Sequence, residues 1–370
     1  MKHLVALLWA TLVVAGVGEA PARGPSENPP LIETGPVVGG TRVFWGDSDG
    51  NVLLWSPGTH PRVVYRAAAH SNQIQSISAS TSLLLIAGKQ ILVGPPRGPF
   101  KPLSRKRFCP HGGITALDAD GYRVAFVETY CRRRQPRTRV VVREFAGPKR
   151  TEVLTDVRGA ADRWSLGVQI AGRYVAWSWG GWLKVADLTT GRFVYHAPDG
   201  ALGFDLQSDG KLVAIKPRRG QKALADLVLY AAGGQTARLL SRRVFVEDGR
   251  VTPVRLADDH AVFVRRVGQS AAEIVVTDLI GRQHRIASFG TRFSSMRGKT
   301  GVYLLRGVDF DGRRATWAAK RDDRTSRVCG EICIWRASGA ELVLVARAEH
   351  GRWVPHTIAE RPFSGLQTGP

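Results

Sequence analysis

The chain has 370 residues, 44% hydrophobic and 23% charged, which leaves room for two average domains or one large all-β domain. Its 53 lysines and arginines outweigh 31 acidic residues, and a formal net charge of +22 favours anionic partners. Beyond the first twenty residues no apolar run is long enough to cross a hydrocarbon core, which excludes further membrane-spanning helices.

The N-terminal stretch stands apart. Lys2 and His3 precede an apolar run from Leu4 to Val17, and Gly18-Glu19-Ala20 supplies small residues around a cleavage point. That three-part pattern predicts a secretory signal peptide over residues 1–20, with an uncleaved membrane anchor as the alternative. Residues 21–36, which open with "PARGPSENPP", read as a flexible, Pro- and Gly-rich leader.

From there one device recurs: a turn residue and then a short apolar strand. It appears as "GGTRVFWGD" (39–47), "STSLLLIAG" (80–88), "DGYRVAFVE" (120–128) and "AGRYVAWSW" (171–179). Further copies are "DGKLVAIKP" (209–217), "DDHAVFVRR" (258–266) and "DGRRATWAAK" (311–320). The copies start about 45 residues apart, a period characteristic of β-propeller blades. Each is preceded by another short strand, such as "GITALDA" or "LGVQIAG", and followed by two more separated by a glycine turn, such as "WLKVADLTTG" and "RFVYH" or "EICIWRASG" and "AELVLVA". The central strands are continuously apolar, as strands covered on both faces should be. The pattern predicts an all-β fold: a seven-bladed β-propeller of four-stranded antiparallel blades over residues 37–347. A polar, irregular C-terminal tail (348–370) completes the chain. A β-sandwich array also has many short strands, but serial similar units favour the ring.

The D-G-[KR]-x-V-A signature and the later "VADLTTG" turn resemble the exported WD40-like propellers of the TolB type. The resemblance implies a rigid envelope scaffold presenting loops to a partner. The chain departs from TolB-type repeats in having a single "WSPG" (55–58), and from WD40 repeats in lacking their Trp-Asp and Gly-His dipeptides.

Cys109, Cys131, Cys329 and Cys333 form an even set, which suits disulfides in an exported chain. Cys109 and Cys131 lie almost symmetrically about the Asp120-Gly121 turn, and Cys329 and Cys333 are spaced to clip one loop. A four-cysteine zinc site is the rival, although such sites favour tighter C-x2-C pairs.

The candidate binding surface is "CRRRQPRTR", placing Arg132, Arg133, Arg134, Arg137 and Arg139 in a loop of the third blade, where arginine forks suit carboxylates and phosphates. Trp182, beside two glycines, is an aromatic anchor candidate. Asp118, Gln169, Gln207 and Asp309 each lie three residues before a hairpin glycine, so they are candidates for lining a central channel. No G-x-S-x-G, Walker loop, H-E-x-x-H or EF-hand loop is present, and the histidines lack metal-ligand spacing. The expectation is a monomeric, non-catalytic scaffold, secreted or in the cell envelope, with no cofactor or metal. Its partner would be a protein or anionic envelope polymer rather than nucleic acid. The alternative is a secreted propeller enzyme acting on a carbohydrate or related polymer through the channel.

Overall fold

The computed structural model describes residues 34–367 apart from 68–73, 89, 104–112, 146–149, 159–166, 180–181, 198–200, 219–220, 235, 248–249, 252–253, 269, 291–300, 330–332 and 351. The expected signal peptide and leader up to residue 33, and Cys109, lie outside these residues. Among the described residues every regular element is a β-strand.

Strands pair antiparallel with their sequence neighbours in groups of four. The first group runs from Thr34–Gly39 to Arg62–Arg66, the second from Ser76–Ala79 to Lys101–Pro102, and the third from Gly113–Asp120 to Thr151–Arg158. The fourth runs from Val168–Ala171 to Arg192–Ala197. The remaining groups, opened by Gly203–Leu206, Arg255–Ala257 and Gly301–Phe310, are joined into one 13-stranded sheet by two minimal bridges. These bridges are an antiparallel pair at Val244 and Arg265 and a parallel pair at Gly290 and Tyr303.

The opening strand of each group touches that of the next, and Gly301–Phe310 touches Thr34–Gly39, so the series closes on itself as a β-propeller. The core is correspondingly divided into layers between successive sheets. Val140, Val142, Val168 and Trp177 fill one such layer, and Phe204, Leu212 and Tyr230 contribute to the next. Closure has its own layer, in which Val43 and Trp45 of the first group pack on Ala318, Val343 and Val345 of the last.

The last group differs from the sequence reading. Its strands are Arg314–Cys329, Cys333–Glu349 and Arg352–Gln367. The second of these spans both "EICIWRASG" and "AELVLVA", which read as separate strands around a turn at Gly339. The glycine answers a different need: a Cβ there would collide with the carbonyl oxygen of Arg321 at a register shift in the neighbouring strand. A strand glycine of this kind marks a close backbone approach, not a turn. The stretch expected as an irregular tail (348–370) is therefore mostly the outermost strand, and its Ile358 and Ala359 pack against the closure layer.

Candidate functional site

Two places gather the polar residues that the sequence singled out. The first is the propeller axis. Asp118, on Gly113–Asp120, accepts the Ile170 N–H of the next group's opening strand at 2.8 Å. Asp205, on Gly203–Leu206, accepts the Leu256 N–H of the following group at 2.6 Å. Asp309, on Gly301–Phe310, accepts the Val38 N–H across the closure at 2.7 Å. The same move is thus made from the third, fifth and last groups: an inner carboxylate takes an N–H of the adjoining group's opening strand.

Between them stand Gln169 and Arg255. With its amide oriented to suit its neighbours, Gln169 donates to Asp118 Oδ2 at 2.9 Å and Asp205 Oδ1 at 3.1 Å, and accepts from Arg255 Nη1 at 3.1 Å. Arg255 Nε donates to Asp309 Oδ1 at 2.6 Å. One hydrogen-bonded web therefore spans five consecutive groups. Burial raises the Asp118 carboxyl to about 6, against the Ile170 N–H and Arg255, which favour ionisation. Burial likewise raises Asp205 to about 7 against Arg255 and the Leu256 N–H. Arg255 is held charged above the ordinary arginine range; burial opposes this, and the Asp309 and Asp205 carboxylates override it.

Gln207 is not part of this web. Its N–H donates to the Lys211 carbonyl across a turn, and its Oε1 is buried without a partner among the described residues. In the third group the turn between Asp120 and Arg123 begins with its glycine, Gly121. In the fifth group Ser208-Asp209-Gly210 lie between Gln207 and Lys211 and the glycine comes last, so the residue three before it falls two short of the axial position. Asp205 holds the place equivalent to Asp118, since each pairs with the same position of the second strand, Val213 and Ala125. Arg255 was missed because its group turns at Asp258-Asp259 and has no glycine to count from. Among the described residues no group of three His, Cys, Asp or Glu is arranged to hold a metal.

The second place is the arginine cluster. The sequence expected one loop holding five arginines; the structure splits them. Strands Arg123–Arg132 and Gln135–Glu144 form a continuous hairpin, and only Arg133 and Arg134 form the turn. Both have positive φ, 52° and 65°, the shape of a tight two-residue hairpin turn that normally selects Asn and Gly. Arg132, Arg133 and Arg134 are exposed. Arg137 and Arg139 belong to the strand and are spent on structure. Arg137 Nε donates to Asp156 Oδ1 at 2.9 Å, and Tyr130 Oη donates to Asp156 Oδ2 at 2.8 Å. Together they hold the Asp156 carboxyl below its usual range despite partial burial. Arg139 is paired with buried Glu128 and stacks over the Tyr130 ring. Cys131, next to the tip, is disulfide-bonded. Trp182 opens the third strand of the next group and is 40% exposed, whereas Trp177 is core. Cys329 and Cys333 are paired in register where strands Arg314–Cys329 and Cys333–Glu349 meet.

No protein family and no curated protein matches the chain, so the TolB-type resemblance rests on the repeat alone. Among solved structures, the chain is similar to the computationally designed Ika8 protein. The two share 15% identity at a TM-score of 0.50, over 89% of this chain and 88% of that one. Similarity to BamB from Moraxella catarrhalis is lower, with 11% identity and a TM-score of 0.41 over 77% and 92% of the two chains. The first likeness is one of fold, and the second is too distant to carry weight.

Proposed function

We propose that the chain is an exported seven-bladed β-propeller that acts as a non-catalytic scaffold outside the cytoplasm. In this reading it holds an acidic polymer, or the acidic surface of an envelope protein, on the Arg132–Arg134 hairpin. The observation that carries the reading is the division of labour among five neighbouring arginines. Arg137 and Arg139 are neutralised by Asp156 and Glu128, while Arg132, Arg133 and Arg134 meet no carboxylate among the described residues. Two of these three occupy backbone positions that a side chain enters at a cost of roughly 1–2 kcal/mol each. Strain of that kind is kept where it serves a site. The signal-peptide pattern and the disulfide at Cys131 support an oxidising location, and we assign the pairs Cys109–Cys131 and Cys329–Cys333. The axial carboxylates are assigned to closure rather than to hydrolysis of a polymer, because each is engaged by a backbone N–H of the next sheet.

The test is co-sedimentation with polyglutamate as the anionic probe, at two salt concentrations, with wild type and Arg132→Ala/Arg133→Ala/Arg134→Ala. At least a tenfold loss of affinity with an unchanged melting temperature is expected. Equal retention of both proteins would remove the hairpin from the function.

A further inference from the structure

A groove of about 700 Å³ lies where the outer strand of the fifth group, Ala237–Glu247, meets the sixth group. Arg242 and Arg243 line it from one side and Arg265 and Arg266 from the other, against a single carboxylate, Glu273. That carboxylate is already committed. It accepts Arg265 Nη2 at 2.7 Å and lies 3.5 Å from Arg285 Nη1, and these arginines hold it below its usual range. Asp226, opposite Arg242 in the ladder, is taken by Arg218 at 2.6 Å. Arg242 and Arg243 are exposed and have no acidic partner among the described residues.

The backbone is shaped around these two residues. Two register shifts interrupt the ladder of Ala237–Glu247, and Arg243 has a φ of 69°. Bulges of this kind re-aim side chains that a regular strand would send to opposite faces. The walls are tied together by the Val244–Arg265 bridge and by Gln283 Nε2 donating to the Leu240 carbonyl at 3.2 Å. Leu239 and Val267, both more than 40% exposed, add apolar surface. Arg242 and Arg243, with no acidic partner among the described residues, leave two positive charges that one carboxylate ligand would not balance. Phosphate brings close to two charges and three acceptor oxygens, which guanidinium forks engage in pairs.

We infer that this inter-blade groove is a binding site for a phosphate-bearing ligand, separate from the Arg132–Arg134 hairpin and independent of its role. The test is isothermal titration of the full chain with tripolyphosphate and with citrate, at physiological salt so that diffuse attraction is screened. Wild type should bind one tripolyphosphate, and citrate at least tenfold more weakly. Arg242→Ala/Arg243→Ala should weaken tripolyphosphate at least tenfold, and Val267→Asp, which leaves every arginine in place, should weaken it as well. Arg132→Ala/Arg133→Ala/Arg134→Ala should bind it as wild type does. Absence of binding, binding unaffected by the groove variants, or citrate binding as tightly as tripolyphosphate would each overturn the assignment.

Discussion

Asp205→Asn probes whether the axial web is sensitive to protons. Burial sets Asp205 at about 7 and Asp118 at about 6 in the folded chain, whereas an unfolded aspartate titrates at ~3.9. Both folded values lie above the unfolded one, so the folded chain binds more protons between about pH 4 and pH 7. The stability these groups contribute is complete below pH 4 and is lost as the pH rises through 6 and 7. One pKa unit corresponds to ~1.4 kcal/mol, so between pH 5 and pH 8 Asp205 accounts for a loss of ~3 kcal/mol and Asp118 for ~1.5 kcal/mol.

Urea unfolding of wild type and Asp205→Asn at pH 5, 6, 7 and 8 measures this directly. The difference between the two proteins cancels the histidines and the surface carboxylates. At pH 5 the variant should be the weaker by ~1 kcal/mol, because an asparagine side chain cannot accept from both the Leu256 N–H and Gln169. By pH 8 the balance should have moved ~3 kcal/mol in the variant's favour. Parallel stability curves across the range would refute the reasoning. They would mean that Asp205 stays ionised throughout, held by Arg255 strongly enough to outweigh its burial.

Replacing the hairpin tip by the sequence its turn prefers, Arg133→Asn/Arg134→Gly, should raise unfolding stability by ~1 kcal/mol while weakening polyglutamate binding. Urea titration beside co-sedimentation checks both, and a variant neither stabilised nor impaired would argue against stored strain. Gly172→Ala should cost ~2–3 kcal/mol, since its φ is +56° and the new methyl would lie 2.8 Å from the Ser208 carbonyl oxygen of the next blade. Gly121→Ala, with a similar φ of +59° but open space around it, should cost only ~1 kcal/mol. Equal losses would show that the turn conformation, and not contact between sheets, is what demands glycine at 172.

The parts of the fold that depend on neighbours in sequence were legible. Phe126, Trp177, Ile215 and Phe263 lie in strands whose apolar runs and flanking turns announce them, and the structure buries all four side chains. The arginine cluster was legible as a cluster but not as a hairpin. Its polar letters conceal a strand in which Thr138 is fully buried between Arg137 and Arg139. Gly339 misled for the opposite reason. A glycine needed to admit a crossing carbonyl has the same letter as one needed for a turn, and only the partner strand distinguishes them.

The axial web shows where such reading stops. Its bonds from Asp118, Asp205 and Asp309 include ones to residues 51, 52 and 54 positions away, and 271 away at the closure. Each bond depends on how one sheet docks on the next, and the pattern within a single blade does not encode that docking. Asp118 and Asp309 were found only because their turns place glycine at a fixed distance. Asp205 escaped because its turn is one residue longer and ends rather than begins with glycine, which moved that landmark by two residues, although its ladder position did not change. Position in the ladder, and not distance from a turn, is therefore the coordinate that aligns blades. It brings Val37 and Ser78 into register with Asp118, Gln169, Asp205, Arg255 and Asp309. Charge around the axis is consequently one-sided, concentrated in the third to last blades, and Asp309 links it across the seam by accepting both the Val38 N–H and Arg255 Nε. The closure thus combines a polar clasp at the axis with the apolar layer of Trp45 and Val343 farther out.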